Sequence, residues 1–106
     1  MPKFLLEASY SPQGVEGISS KGGSSRREAV ADMAEGLGGK LESFYFAFGD
    51  VDAYVTVELP DNEAATAAAL AVNATGAATV KTVQLLTPEE VDAAAKRSAD
   101  YRPPGA

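Results

Sequence analysis

Glu7, Asp50, Asp52 and Glu58, with Tyr45 and Tyr54, are the side chains whose types and spacing could do chemistry in this chain. Asp50 and Asp52 stand two apart behind Gly49 in FAFGDVDAYVTVELP, a pattern open to a metal site, an acid–base pair or a turn between two strands. A calcium loop needs glycine-spaced oxygen ligands and a glutamate at a fixed distance, and this stretch has neither. Aspartate is a favoured turn residue, so the turn is the reading carried forward and no metal is expected. Glu7 or Glu58 beside tyrosyl hydroxyls would suit proton exchange with a small organic substrate if a covered site raised the carboxyl pKa. The plain alternative for Glu58 is an exposed carboxylate at a strand end. A third candidate, GISSKGGSSRR, sets Arg26 and Arg27 near a helix start, a place that can cradle an anion. It lacks the G-x-x-x-x-G-K-[ST] pattern, and Arg26-Arg27-Glu28 reads more simply as a solvated helix face.

Composition narrows the chemistry. With 106 residues, the chain has room for one domain and one modest core. Fifteen acidic against nine basic residues give a net charge of -6, which repels phosphate backbones, so no nucleic-acid partner is expected. The chain has no cysteine and no histidine. That removes disulfides, thiolate nucleophiles, Ser-His and Cys-His catalysis, His-ligated metals and the usual haem ligand, and no cofactor is expected. Lys3 is followed by only three apolar residues before Glu7, unlike a signal peptide, and no apolar run approaches the ~20 residues of a membrane span. The chain reads as soluble and cytoplasmic, with no membrane partner.

The elements that must position these residues follow from periodicity. KFLLEASY is a short strand, and SPQGVEGISSKGGSS collects Gly, Ser and Pro into a loop. SSRREAVADMAEGLGG sets Val30, Met33, Ala34 and Leu37 at helical spacing, with Ser25 and Glu28 as a capping box and glycines closing the end. KLESFYFAF and DAYVTVEL read as the two strands of a hairpin. Asp61 caps an alanine-rich second helix ended by Gly76, and TVKTVQLL supplies a fourth strand. Thr87 and Pro88 then start a short third helix. The order is α+β, βαββαβ. Right-handed crossovers place strand three between strands one and two, giving a ferredoxin-like antiparallel sheet in the order 4-1-3-2. Residues 1–98 form the single domain and 99–106 a flexible tail.

The hairpin sorts its residues by face. With Gly49 and Asp50 at the centre of the turn, Phe48 pairs with Val51, Phe46 with Ala53, Tyr45 with Tyr54, Phe44 with Val55 and Ser43 with Thr56. A four-residue loop from Gly49 to Asp52 keeps the same parity, and a three-residue loop destroys it. One face is then all apolar, carrying Phe44, Phe46, Phe48, Val51, Ala53, Val55 and Val57, and should receive the helices. The other holds Ser43, Tyr45, Asp52, Tyr54, Thr56 and Glu58, joined by Leu5, Glu7 and Ser9 of strand one and by Thr82 and Gln84 of strand four. That face is too aromatic for an ordinary solvated one, and a sheet-to-sheet homodimer would cover it. Tyr45 and Tyr54 as a cross-strand pair on an exposed sheet is the simpler alternative.

Gly38-Gly39-Lys40, Tyr45, Gly49-Asp50-Val51-Asp52, Val57-Glu58-Leu59-Pro60-Asp61, the alanines that follow, Gly76, Thr82 and Thr87-Pro88-Glu89-Glu90 together resemble the GYD domain proteins of the dimeric α/β barrel superfamily. The similarity covers residues 3 to 95. The tyrosine of the eponymous Gly-Tyr-Asp is Val51 here, so no role of that ring carries over. The resemblance implies ferredoxin-like protomers whose sheets face each other in a dimer, and implies little about activity. Distant members of the superfamily include cofactorless monooxygenases, small isomerases, haem enzymes and amino-acid-sensing domains, and fold analogy does not choose among them. The expected function is a small homodimer, open to higher assembly, that binds a small organic ligand or serves a structural role. Glu7, Ser9, Tyr45, Asp52, Tyr54 and Glu58 are the candidate ligand-binding residues. The alternative is a cofactor-free isomerase or monooxygenase with Glu7 or Glu58 as base and tyrosines as donors.

Overall fold

The structure, a computed structural model, describes residues 1–105; Ala106, the end of the expected tail, lies outside them. β1 (Lys3–Tyr10) is a central strand, antiparallel to β3 (Ala53–Glu58) on one side and to β4 (Ala78–Leu85) on the other, and β2 (Lys40–Phe46) lies outside β3. The order β2-β3-β1-β4 is the expected 4-1-3-2 counted from the opposite edge. With α2 (Gly23–Gly36) and α3 (Asn62–Ala74) as the two crossovers, the architecture is ferredoxin-like. α4 (Pro88–Ala95) follows β4 behind the expected Thr87 cap, and Thr87 and Glu90 close a capping box there.

The core lies between one sheet face and these helices. Phe4, Leu6 and Ala8 alternate inward along β1, Ala53, Val55 and Val57 along β3, and they meet Val30 and Ala34 of α2 and Ala64 and Ala65 of α3. Alanine dominates the α3 contact because it costs no side-chain entropy and lets the helix axis approach the sheet. Val57 and Leu59 are the largest fully buried side chains, each worth about 2 kcal/mol in transferred apolar surface. Gly39 is required where α2 turns into β2, because a Cβ there would overlap the Glu58 carbonyl.

Four sequence expectations change. The segment expected to be a loop contains α1 (Pro12–Lys21). Ser11 caps it, accepting the Gly14 N–H at 3.3 Å while donating to the Ala77 carbonyl at 3.2 Å, and Pro12 occupies the first helical turn. The Ser25–Glu28 capping box does not form, because α2 begins three residues earlier, at Gly23, behind Gly22. Gly22, with φ 86°, both ends α1 and precedes α2, so Ser25 is already inside the helix. The hairpin keeps the expected pairs from Phe46↔Ala53 to Ser43↔Thr56, but its loop runs over 47–52. It is closed by Ala47 N–H to Asp52 C=O at 2.9 Å, and parity survives because the loop is still even. Phe48 therefore does not pair with Val51 on the helix face. It adopts φ 54°, stacks on Phe46 at 5.5 Å and is 58% exposed. Finally, β4 pairs with β1 in the register Leu6↔Thr82 and Phe4↔Gln84, which turns Thr82 and Gln84 to the helix side.

Candidate functional site

The outer sheet face, the one away from α2 and α3, is built in rows by register. Tyr45 pairs with Tyr54, Tyr54 with Glu7 and Glu7 with Lys81, a continuous row across all four strands. The next outward row is Ser43, Thr56, Leu5 and Val83. Beyond it lie Lys40, Glu58, Lys3 and Leu85. Val83 and Leu85 thus take the places given to Thr82 and Gln84, and with Leu5 they form an apolar strip beside the tyrosines. Tyr45 is 71% exposed and Tyr54 40%, so among the described residues the aromatic pair is left open to solvent.

The structure brings together three of the six candidates, Glu7, Tyr45 and Tyr54, as neighbours in one row. Ser9 sits one side-chain step along β1 from Glu7, opposite Thr79. Asp52 has a structural partner: its carboxylate accepts the Tyr10 N–H at 2.9 Å, and its own N–H donates to the Ala8 carbonyl at 2.9 Å. Since β3 starts at Ala53, this carboxylate supplies the acceptor that a longer strand would have offered the end of β1. Glu58 lies at the far end of β3, about 13 Å along the strand from Tyr54. Six candidates chosen by face parity are therefore one cluster and two separate ends.

Charge explains the Glu58 end. Lys40 Nζ stands 3.3 Å from Glu58 Oε2, and Lys3 Nζ stands 2.9 Å from Glu42 Oε1. Glu42 is the extra residue of a β-bulge between the Leu41↔Val57 and Ser43↔Thr56 pairs, an irregularity no residue pattern announced. The Lys40 contact, then the charges of Lys40 and Lys3, hold the Glu58 carboxyl below the usual carboxylate range despite some desolvation. This is opposite to the upward shift expected of a proton-accepting base. Glu42 in turn raises the Lys3 ammonium above its ordinary value.

Sequence reasoning missed Lys81, Val83 and Leu85. Their signal was weak because both faces of TVKTVQLL mix apolar and polar residues, and only pairing with β1 selects one. Among the described residues no helix is long and apolar enough to cross a membrane. Comparison with curated proteins found no match, and comparison with solved structures found none. The family model described as GYD domain matches residues 4–95, a span running from the core residue Phe4 of β1 to Ala95 at the end of α4. The four-stranded sheet from Phe4 onward, its two crossover helices and the Tyr45–Tyr54–Glu7 row all lie inside that span, and the chain belongs to the GYD domain family.

Proposed function

We propose that the chain acts as a homodimer whose two outer sheet faces meet, and that this dimer is a small module binding a partly apolar molecule between the sheets. The observation that carries the reading is the outer face itself: Tyr45, Tyr54, Leu5, Val83 and Leu85 form one apolar and aromatic surface while α2 and α3 occupy the opposite side. Its charge supports self-association. In a chain of net charge -6, this face sets Lys3, Lys40 and Lys81 against Glu7, Glu42 and Glu58, so two copies meet there without strong repulsion.

Within such a dimer Glu7 and the hydroxyls of Tyr45, Tyr54 and Ser9 are the groups free to orient a small ligand. Asp52 and Glu58 serve the fold and its ion pairs. A Glu58 held ionised by Lys40 does not favour proton abstraction by that residue, so binding is preferred over the isomerase or monooxygenase reading. A chain without cysteine suits a reducing compartment, and the cytoplasm is its assigned location in this reading. Native mass spectrometry of protein purified without denaturation tests the proposal. A dimer carrying an added small-molecule mass is expected; a dimer with none reduces the module to a structural one, and a bare monomer removes the reading.

A further inference from the structure

On the other side of the sheet, α1, α2 and α3 leave a solvent-open cleft of about 490 Å³, floored by Ala77 and Ala78 where β4 begins. Its volume falls in the range usual for small-molecule sites. Ile18, Val30, Met33 and Val72 give it an apolar body, and Lys21 and Arg26 are its charged residues. No aspartate or glutamate lines it, although the chain has fifteen of them. The charge lining the cleft is therefore opposite in sign to the net charge of the chain.

Arg26 supplies a second, independent observation. Its guanidinium carbon sits 5.9 Å from the centroid of the Tyr10 ring, a cation–π contact. Its Nε is buried with no hydrogen-bond partner among the described residues, where buried donors are nearly always satisfied. Nε is closed to solvent, so an anion in the cleft meets Arg26 through the terminal N–H groups of its fork.

We propose that this cleft is a binding site for a small amphipathic carboxylate, its head held by Arg26 with Lys21 nearby and its apolar body lying along Ile18, Val30, Met33 and Val72. Gly17 lines the same cleft, and a Cβ built there meets nothing within 4 Å. A larger residue at that position occupies the ligand's space without disturbing the packing of α1. The site lies on the helix-covered side and goes beyond the sheet-side reading. A monomeric protein leaves its test intact, and loss of carboxylate binding leaves the dimer intact.

Titration of the full chain with sodium octanoate, followed by two-dimensional proton–nitrogen spectra, tests the proposal. Saturable shifts are expected in the amides of α1, α2 and residues 71–78, with a dissociation constant at or below about 1 mM. Octanol, which lacks the anion, should bind roughly tenfold more weakly, and Arg26→Gln should lose roughly tenfold in octanoate affinity. Gly17→Leu should abolish binding while keeping the dispersed spectrum of a folded chain. No saturation in that range, equal binding of octanol, or unchanged affinity in either variant overturns the proposal. So do shifts confined to the Tyr45 and Tyr54 face.

Discussion

Asp52 shows how a residue that looks like chemistry can be consumed by the fold. Its carboxylate accepts the Tyr10 N–H at 2.9 Å in a half-buried setting, so Asp52→Ala leaves that donor unsatisfied. The expected loss is about 1–2 kcal/mol in urea unfolding, with Asp52→Asn recovering most of it because an amide oxygen can still accept. Glu58 makes a prediction in pH. Its folded-state carboxyl lies below the ordinary value of 4.5, so its contribution is complete at neutral pH. That contribution declines as pH falls through the ordinary range and is gone below the depressed folded value. Melting temperatures measured from pH 7 to pH 3 should therefore fall less steeply for Glu58→Gln than for the parent chain. At this scale the Tyr45–Tyr54 pair could be read from hairpin parity alone, since Phe44, Val55 and Val57 alternate against Tyr45, Tyr54 and Thr56. The Asp52–Tyr10 bond could not, because it joins residues far apart in the chain through a backbone donor that carries no sequence signature.

α1 is where the elements departed from the residue pattern, and its glycines give the reason. Gly14 and Gly17 lower helix propensity, which made the segment look like a loop, yet Ser11 and Pro12 already provide a helix start. Gly14 is there for close approach: a Cβ would overlap the Ala77 carbonyl, so only glycine lets α1 dock where Ser11 N–H bonds Ala77 at 3.0 Å. Gly17 faces open space. The two should respond to alanine with opposite signs. Gly17→Ala is expected to stabilise by about 0.5–1 kcal/mol through helix propensity. Gly14→Ala is expected to destabilise by about 1–3 kcal/mol as α1 is forced off β4. Chemical denaturation of the two variants side by side reads the difference, and equal signs would refute the docking argument. By contrast α3 and α4 were readable because Asp61 and Thr87 cap them directly: Asp61 accepts the Ala64 N–H at 2.8 Å and Thr87 the Glu90 N–H at 3.0 Å.

The whole molecule is more extended than its core requires. Its radius of gyration is 16.8 Å, against about 13 Å for a compact domain of this length, and its long axis reaches 56 Å. α4 contributes to this: it buries no residue and leaves Val91 exposed. Two surfaces of the chain thus lack an internal partner, α4 and the outer sheet face, and a second copy is the simplest cover for the latter. Changing both tyrosines, Tyr45→Lys with Tyr54→Lys, should release monomers that keep the parent far-ultraviolet circular dichroism, because neither ring belongs to the core. Light scattering coupled to gel filtration of the unmodified chain at micromolar concentration tests the account most directly. A mass twice the 10.9 kDa of the chain is predicted, and a single species at 10.9 kDa would contradict it.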